Sequence, residues 1–404
     1  MLKEFLKKEG IVYSDDEEVI RKESMDMSFM SIFLLPYINK RSDIVVYPKS
    51  EEEVIKVVEK AIEEHIPIVP RGGGMNNIGG VIPLKGGIIL DMRLMNKITI
   101  EDETVIAEAG AKYYDNGKFN FNPRVYPSSF DRGVTVGGHI SGGCCGIGSF
   151  KYGYVWDQVV EVRMVNPRGK VVTLRGGDVK ISAHAEGTTG IITRVKLLTE
   201  TNNYEFKVIE GDLNYLIKLV SRFFDEGVDI YHLTLRSPEA TEITGVMKSD
   251  KWQLFIAHSK EERIEEGTKD GLELWNNKQA FYGGLTLSFL TKRGKAEYLI
   301  KDTEVEEVPK IVKELKGLAV IQVEFILGRI AHLFIVSDSN YFKIREIVSK
   351  YPGRIFELHD FRLNTRLDKD HVERIVRWKR IYDKEDLFNP GKVELPLSES
   401  SYKE

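Results

Sequence analysis

Between residues 50 and 65 the apolar positions recur at helical spacing. Val54, Ile55, Val57, Val58, Ala61 and Ile62 make one face, which predicts a helix reaching about His65. Ser50-Glu51-Glu52-Glu53 supplies a capping box at its start, with a hydroxyl and a carboxylate satisfying opposite N–H groups. Short apolar runs bounded by turn residues then predict strands at 66–69, 88–92, 97–100 and 104–109. Val159 to Val165, the turn Asn166-Pro167-Arg168-Gly169 and Lys170 to Leu174 predict a hairpin. Ile191 to Leu198 predicts one more strand, and the polar stretch Thr199-Glu200-Thr201-Asn202-Asn203 marks a boundary.

Past that boundary strands and helices alternate. Strands are predicted at 205–209, 229–235, 252–257, 318–326, 331–337 and 354–358, and helices at 212–225, 261–277, 304–315 and 341–350. This order suits an α+β unit whose sheet is covered by helices on one face, with two ferredoxin-like halves as one arrangement. A further helix at 368–383 carries Val372, Ile375, Val376, Trp378 and Ile381. Ser398 to Glu404 are expected to fray.

The turns carry more information than the elements. Residues 70 to 83 read Pro-Arg-Gly-Gly-Gly-Met-Asn-Asn-Ile-Gly-Gly-Val-Ile-Pro. Gly72, Gly73 and Gly74 remove every Cβ from the turn and permit close approach of another group. Successive N–H groups in such a turn form an anion-binding concavity, and Arg71 adds a positive charge. A Walker A loop needs Lys-Ser/Thr after its last glycine, whereas Val81 follows Gly79 and Gly80. A Rossmann turn needs a third glycine and a helix, whereas Asn77 and then a strand at Ile88 to Asp91 follow. Both readings fail.

A second glycine-rich segment, 127–154, contains Gly137, Gly138, Gly142, Gly143, Gly146, Gly148 and Gly153 among Thr135, Ser141 and Ser149. Interior glycines cost about 1 kcal/mol each in a helix, so an ordered, non-helical backbone around an extended ligand is expected. Glu186-Gly187-Thr188-Thr189-Gly190-Ile191-Ile192-Thr193 again places small residues before a strand.

Together these segments resemble the FAD-binding domain of the vanillyl-alcohol oxidase / p-cresol methylhydroxylase (PCMH) superfamily. The matching pieces are Pro70 to Gly74, Leu90 to Ile98, Glu108-Ala109-Gly110, Thr135-Val136-Gly137-Gly138, Lys151-Tyr152-Gly153 and Gly187 to Thr193. Asp386-Leu387-Phe388-Asn389-Pro390-Gly391-Lys392 resembles the tail of the branch that holds glycolate oxidase and dye-linked D-lactate dehydrogenase. The likeness spans about residues 40 to 200 and the tail. It implies an α+β fold with a two-subdomain PCMH-type FAD-binding domain over 1–203. It further implies an α+β, ferredoxin-like substrate domain over 204–384 and a segment 385–404 returning to the FAD domain.

The resemblance assigns Arg71, Gly72, Gly73, Gly74, Met75, Asn76 and Asn77 to the pyrophosphate. Thr135, Gly137, Gly138, Ser141, Gly142, Gly146 and Ser149 would run along the pyrophosphate and isoalloxazine. Gly187, Gly190, Ile191 and Ile192 would hold the ribose and adenine end. Pro70, Pro127, Ser128, Tyr152, Asn389 and Lys392 complete the expected cofactor-binding set. Superfamily members with covalent FAD carry a histidine in the first loop, where this chain has Gly74-Met75, so FAD is expected to bind non-covalently. His139 stands where the branch usually has Asn; packing against the cofactor is expected, with a covalent link as the alternative.

Composition narrows the partners. The chain has 404 residues, enough for two or three domains, and a net charge of −4, which implies no nucleic-acid partner. No apolar run reaches a membrane span. Met1 to Lys8 is amphipathic and lacks a signal peptide's apolar core. A cytoplasmic protein is expected, with peripheral membrane contact through this segment as the alternative; a homodimer is left open. Cys144 and Cys145 alone build neither a disulfide framework nor an iron–sulfur site. Abundant Lys, Glu and Ile suit a thermophile.

The resemblance implies hydride transfer from a small 2-hydroxyacid, D-lactate or glycolate, to flavin N5, with electrons leaving to a quinone, a dye or an iron–sulfur partner. Phe356-Glu357-Leu358-His359-Asp360-Phe361-Arg362 stands where the branch has Glu-His-Gly, which makes His359 the expected base. Arg362 is the expected carboxylate ligand and Arg236 a second. The branch's metal segment corresponds to Val323 to His332, where one histidine remains, so no metal is expected. Two other readings stay open: an oxidase of sugars, alditols or aldonolactones, and a non-catalytic FAD-binding subunit of a glycolate oxidase complex.

Overall fold

The computed structural model describes residues 1–201, 203–264 and 267–395; the fraying expected at Ser398–Glu404 lies outside them. Helix Glu51–Glu63 forms where the spacing places it and buries Val54, Val57, Val58 and Ala61. Ser50 Oγ accepts the Glu53 N–H at 3.3 Å, while the Glu53 carboxylate takes the Lys49 N–H at 2.8 Å rather than that of Ser50.

Two small sheets build the first part of the chain. One has the order Val12–Ser14, Ile44–Tyr47, Ile88–Asp91, Ile68–Arg71, and its last three strands are parallel. Those three are nearly continuous apolar runs, as strands covered on both faces must be. The other is antiparallel, in the order Val171–Arg175, Val159–Val165, Ile191–Leu198, Thr104–Glu108, Ile98–Ile100.

Eight antiparallel strands build the next part, in the order Thr268–Asp270, Tyr204–Gly211, Trp252–Ser259, Ile230–Arg236, Val320–Ile326, Ile330–Ser337, Glu297–Glu304, Arg354–Phe356. Residues 297–356 run strand–helix–strand–strand–helix–strand, which is a ferredoxin-like unit. Residues 204–270 repeat its strand order, and the two halves join where Ile230–Arg236 pairs with Val320–Ile326. The helix expected at 261–277 does not form over the described residues. Gly271 lies against the backbone of Phe206 and Lys207 and donates its N–H to the Phe206 carbonyl, so a strand at Thr268–Asp270 and a short helix Leu272–Asn276 replace it.

Alternation along the sheet decides what faces the first part of the chain. Leu233, Leu235, Val323, Phe325, Leu333 and Ile335 pack with helices Leu213–Glu226, Val308–Leu315 and Tyr341–Ser349. The intervening positions turn to the opposite face, and there Thr234, Glu324, His332 and Asp302 stand in register across four adjacent strands. All four are buried or nearly so, so this face is covered by protein rather than water.

The tail returns to the first sheet. Phe388 bridges to Ile68 in parallel, with Ile68 N–H donating to the Leu387 carbonyl and Asn389 N–H to the Ile68 carbonyl, each at 2.8 Å. Helix Lys369–Tyr382 leads into it. Among the described residues no helix is long and apolar enough to cross a membrane.

Candidate active site

The first glycine turn leaves strand Ile68–Arg71, and from Gly72 to Asn77 no backbone N–H donates to any described residue. These groups border a cavity of about 220 Å³ that also meets the second and third glycine-rich segments. Gly74 is buried and the others are partly buried. N–H groups without partners are rare away from water, and a run of them beside a cavity fits an anionic cofactor such as a pyrophosphate. His139 adds a second fit: its Nδ1 meets Tyr113 Oη at 2.9 Å, while its buried Nε2 has no partner among the described residues and the ring lines the cavity. Burial pushes this imidazole down to about 3, so it is neutral and free to bond a neutral cofactor group.

The glycines work differently from the sequence-based expectation. A Cβ on Gly72 would stand 2.2 Å from Thr135 Oγ1, and one on Gly73 would stand 2.1 Å from the Gly133 carbonyl oxygen. A Cβ on Gly187 would stand 2.1 Å from Pro70 Cγ. The missing side chains let the three segments close on one another and leave the backbone to the ligand. The second segment is also helical over Val136–Gly142, contrary to the expected non-helical course. Gly137 fits against Ala109, where a Cβ would come within 2.7 Å of that side chain, so close packing outweighs the propensity cost.

Arg71 lines the cavity, but its Nε is paired with buried Glu23 at 2.5 Å. Burial alone would raise Glu23; Arg71 and Arg93 outweigh it and hold the carboxyl below its usual range. Glu23 thus offsets the Arg71 charge through Nε, while the buried Nη1, beside Gly74, has no partner among the described residues and leaves a donor to join the backbone N–H groups in holding a phosphate.

Of the expected cofactor residues, Pro70, Arg71, Gly72, Gly73, Gly74, Met75, Asn76, Asn77, Pro127, Thr135, Gly137, Gly138, Ser141, Gly142, Gly187, Gly190 and Ile192 line this cavity. Ser128 lines the adjoining one. Gly146, Ser149, Tyr152, Ile191, Asn389 and Lys392 line neither. Gly146 accepts Tyr282 Oη at 2.5 Å, and the Ser149 carbonyl accepts the Leu327 N–H at 3.0 Å, so this corner joins the glycine segment to the large sheet. Tyr152 Oη is bonded to Glu200. Asn389 Nδ2 donates to the carbonyls of Gly80 and Glu186 at 2.7 and 2.6 Å, and Lys392 Nζ donates to that of Gly79. Asn389 thus braces the first and third segments together, and Lys392 braces the first.

A second cavity, about 530 Å³, shares Met75, Asn77, Pro127, Ser129 and Cys144 with the first. Its far wall is the face of the large sheet that carries His332, Phe334 and Tyr298, together with Tyr282 at the start of helix Gly283–Arg293. His332 Nδ1 lies 2.5 Å from Asp302 Oδ1. Burial opposes charge on this ring, yet Cys145 and Asp302 together hold its pKa well above the usual histidine value. Lys292 and exposed Arg132 stand at the same cavity. Lys292 Nζ donates to the Glu242 carbonyl at 2.8 Å, and Arg132 has no ion-pair partner among the described residues.

None of the three expected catalytic and substrate residues reaches this space. His359 Nε2 donates to the Tyr298 carbonyl at 2.8 Å, so its Nδ1 accepts the Ser31 hydroxyl at 2.7 Å and no lone pair is left. Its ring packs on Phe33, Tyr298 and Tyr341, and burial lowers its pKa. Arg362 is held bidentately by Asp360 and also by Glu394. Arg236 is fully buried and bonded to Gln253, Thr244 and the Val246 carbonyl, behind the cavity wall that Thr244 and Val246 form. Sequence reasoning missed His332 and Asp302 as a pair because they are thirty residues apart and meet only through strand register.

Residues 42–175 match the family model described as "FAD binding domain". The mitochondrial D-lactate dehydrogenase (cytochrome) of Arabidopsis thaliana is 33% identical over 168 residues, covering 38% of this chain and 30% of that protein. The D-lactate dehydrogenase of Archaeoglobus fulgidus is 24% identical over 52% of this chain and 51% of its own length. The glycolate oxidase subunit GlcD of Bacillus subtilis is 31% identical over 40% of this chain and 38% of its own length. The match thus spans about half or less of each of these relatives. Among solved structures, an alkyldihydroxyacetonephosphate synthase superposes with a TM-score of 0.76 at 19% identity, covering 96% of this chain and 86% of that one. A chitooligosaccharide oxidase gives 0.68 at 13% identity, covering 98% and 100%. At these identities the likeness is one of fold.

Proposed function

This chain carries a PCMH-type FAD-binding domain and takes FAD as its cofactor, and from that premise we propose that it oxidises a D-2-hydroxyacid, D-lactate or glycolate, and passes the electrons to a quinone- or dye-type acceptor. Residues 1–203 serve the cofactor, 204–384 the substrate, and the segment around Phe388 to Lys392 braces the FAD domain. The observation that carries the reading is His332, held by Asp302, on the wall of a cavity that shares five lining residues with the cofactor cavity. Bound FAD supplies a hydride acceptor. The residues supply the rest of the chemistry. In its neutral form His332 takes the substrate hydroxyl proton on Nε2, while Asp302 fixes the ring through Nδ1 and favours the imidazolium that results. Arg132 and Lys292 neutralise the substrate carboxylate. Met27, Met30, Ile300 and Phe334 give the same cavity an apolar lining that excludes water from the reacting bond. The absence of a histidine beside Gly74 supports non-covalent binding of FAD.

The test is anaerobic mixing of the yellow holoprotein with D-lactate, L-lactate, glycolate and an alditol while the visible flavin band is followed. Bleaching by a D-2-hydroxyacid is expected. Bleaching by the alditol alone would replace this reading with a sugar-alcohol oxidase. Bleaching by none would leave an FAD-binding subunit without this activity.

A further inference from the structure

A third cavity, about 300 Å³, lies between the first part of the chain and the large sheet, at the lower end of the size of small-ligand pockets. Its walls are aromatic: Phe119, Tyr126, Tyr204, Phe206 and Trp275. Trp275 stacks on Phe206 at 4.6 Å between ring centroids and Phe119 packs edge-on against Tyr126 at 4.9 Å, so the rings are fixed. A cation stands among them. Lys278 is buried, and its Nζ lies 4.7 Å from the Trp275 ring and 5.1 Å from that of Phe130. Its hydrogen bond to the Trp275 carbonyl is a long one, 3.3 Å, and among the described residues no carboxylate is within ion-pair distance, although Asp131 attracts it from farther off. A buried ammonium with two unused N–H donors is costly unless an oxygen acceptor meets it. Burial already lowers it to about 8, so it can release a proton near neutral pH.

The position of this cavity says what such an acceptor is for. Tyr126 lines it while Pro127 lines both the cofactor and substrate cavities. Lys278 lines it while its neighbours Asn277 and Gln279 line the substrate cavity. Consecutive residues of the chain therefore line the aromatic cavity on one side and the cofactor and substrate cavities on the other. At the outer end Asn122 is exposed, which gives an entrance from solvent.

We propose that this cavity binds the ring of a quinone-class electron acceptor, stacked among Phe206, Trp275 and Phe119, with Lys278 Nζ donating to one of its carbonyl oxygens. The proposal rests on the oxidation proposed above as the source of electrons. The quinone gains two electrons and two protons on becoming a quinol. The electrons are those withdrawn from the hydroxyacid. One proton comes from Lys278, which is recharged from solvent past Asn122, and the other comes from solvent.

The experiment uses the FAD-loaded protein and menadione. Equilibrium binding to the oxidised protein is measured by calorimetry, without turnover. Lys278→Met should weaken menadione binding about tenfold or more, as loss of a charge-assisted hydrogen bond does. Asn122→Trp, a change at the exposed mouth that leaves the buried rings in place, should weaken it to a similar degree by closing the entrance. Neither should change bleaching by D-lactate, and slower reoxidation of the reduced protein by menadione should accompany both. Menadione affinity unchanged in both variants overturns the site. If D-lactate fails to bleach the wild type but menadione binding still depends on Lys278, the hydroxyacid reading falls and the site stands.

Discussion

His332 and Asp302 sit opposite each other on paired strands, Ile330–Ser337 and Glu297–Glu304, and the carboxylate holds the imidazole by its Nδ1. Because the pKa of His332 is held well above the usual value, the neutral, proton-accepting form grows in only as pH rises past it. Reduction by D-lactate should therefore climb with pH along a limb on the alkaline side of an ordinary histidine. Asp302→Asn removes the anion and should move that limb to lower pH. His332→Gln should slow reduction by about 10²- to 10⁴-fold and leave FAD content unchanged. Stopped-flow reduction across pH checks all three; a His332→Gln protein reduced at the wild-type rate would remove the assignment.

Arg132 faces the substrate cavity with no competing carboxylate among the described residues, whereas Lys292 is already tied to the Glu242 carbonyl. The arginine should therefore be the stronger anchor. Arg132→Met should raise the apparent Kd for D-lactate about tenfold or more, with a smaller change in the limiting rate. The hyperbolic dependence of bleaching rate on D-lactate concentration separates the two.

The glycine turns can be tested without substrate. Gly73→Ala would set a methyl 2.1 Å from the Gly133 carbonyl oxygen, a backbone atom that cannot swing away. The first and second glycine segments would be forced apart, and the purified protein should be colourless or lose FAD on gel filtration. Gly177→Ala meets nothing within 4 Å and should keep its FAD. Absorbance of the two proteins at equal concentration is the measurement.

The cofactor cavity was legible because it is built from local segments whose glycines announce themselves. The helical cap Ser50 and the hairpin 159–175 were legible because they too are local, whereas the tail's return was implied only by the family resemblance. The substrate side was not. His359 looked suitable by its place in a motif, but Ser31 and Tyr298, distant in sequence, consume both of its nitrogens. His332 gave a signal only as the remainder of a metal segment, because its partner Asp302 and its opposite neighbour Glu324 are set by strand register. Register across a sheet depends on pairings that no local pattern encodes. Gly271 shows the same limit in the fold, since its contact with Phe206 and Lys207 turns an expected helix into a strand edge.

Asn389 joins two of the three cofactor segments from behind, through the carbonyls of Gly80 and Glu186. Asn389→Ala leaves both buried carbonyls without that donor, at about 1–3 kcal/mol for each group. The first and third segments should loosen, lowering Tm and weakening FAD together. A Tm shift that disappears on adding excess FAD would show that the brace acts through the cofactor site. An unchanged Tm and FAD content would show that this brace is dispensable for both.

Glu324, in register with His332, gives the fold itself a pH dependence. Its carboxylate accepts Thr234 Oγ1, the Tyr282 N–H and Gln322 Nε2, yet burial outweighs these bonds and raises its pKa from 4.5 to about 7. The unfolded chain releases this proton near 4.5, so through the window from there to about 7 the folded state alone keeps it. Stability must then fall as pH rises through that window and level off above it, by roughly 3 kcal/mol in all. Glu324→Gln carries no ionisable proton and should lack this decline. Urea midpoints for the two proteins between about pH 5 and pH 8 test it: the gap between the curves should change by that amount, and parallel curves would mean that Glu324 is ionised in the folded protein throughout.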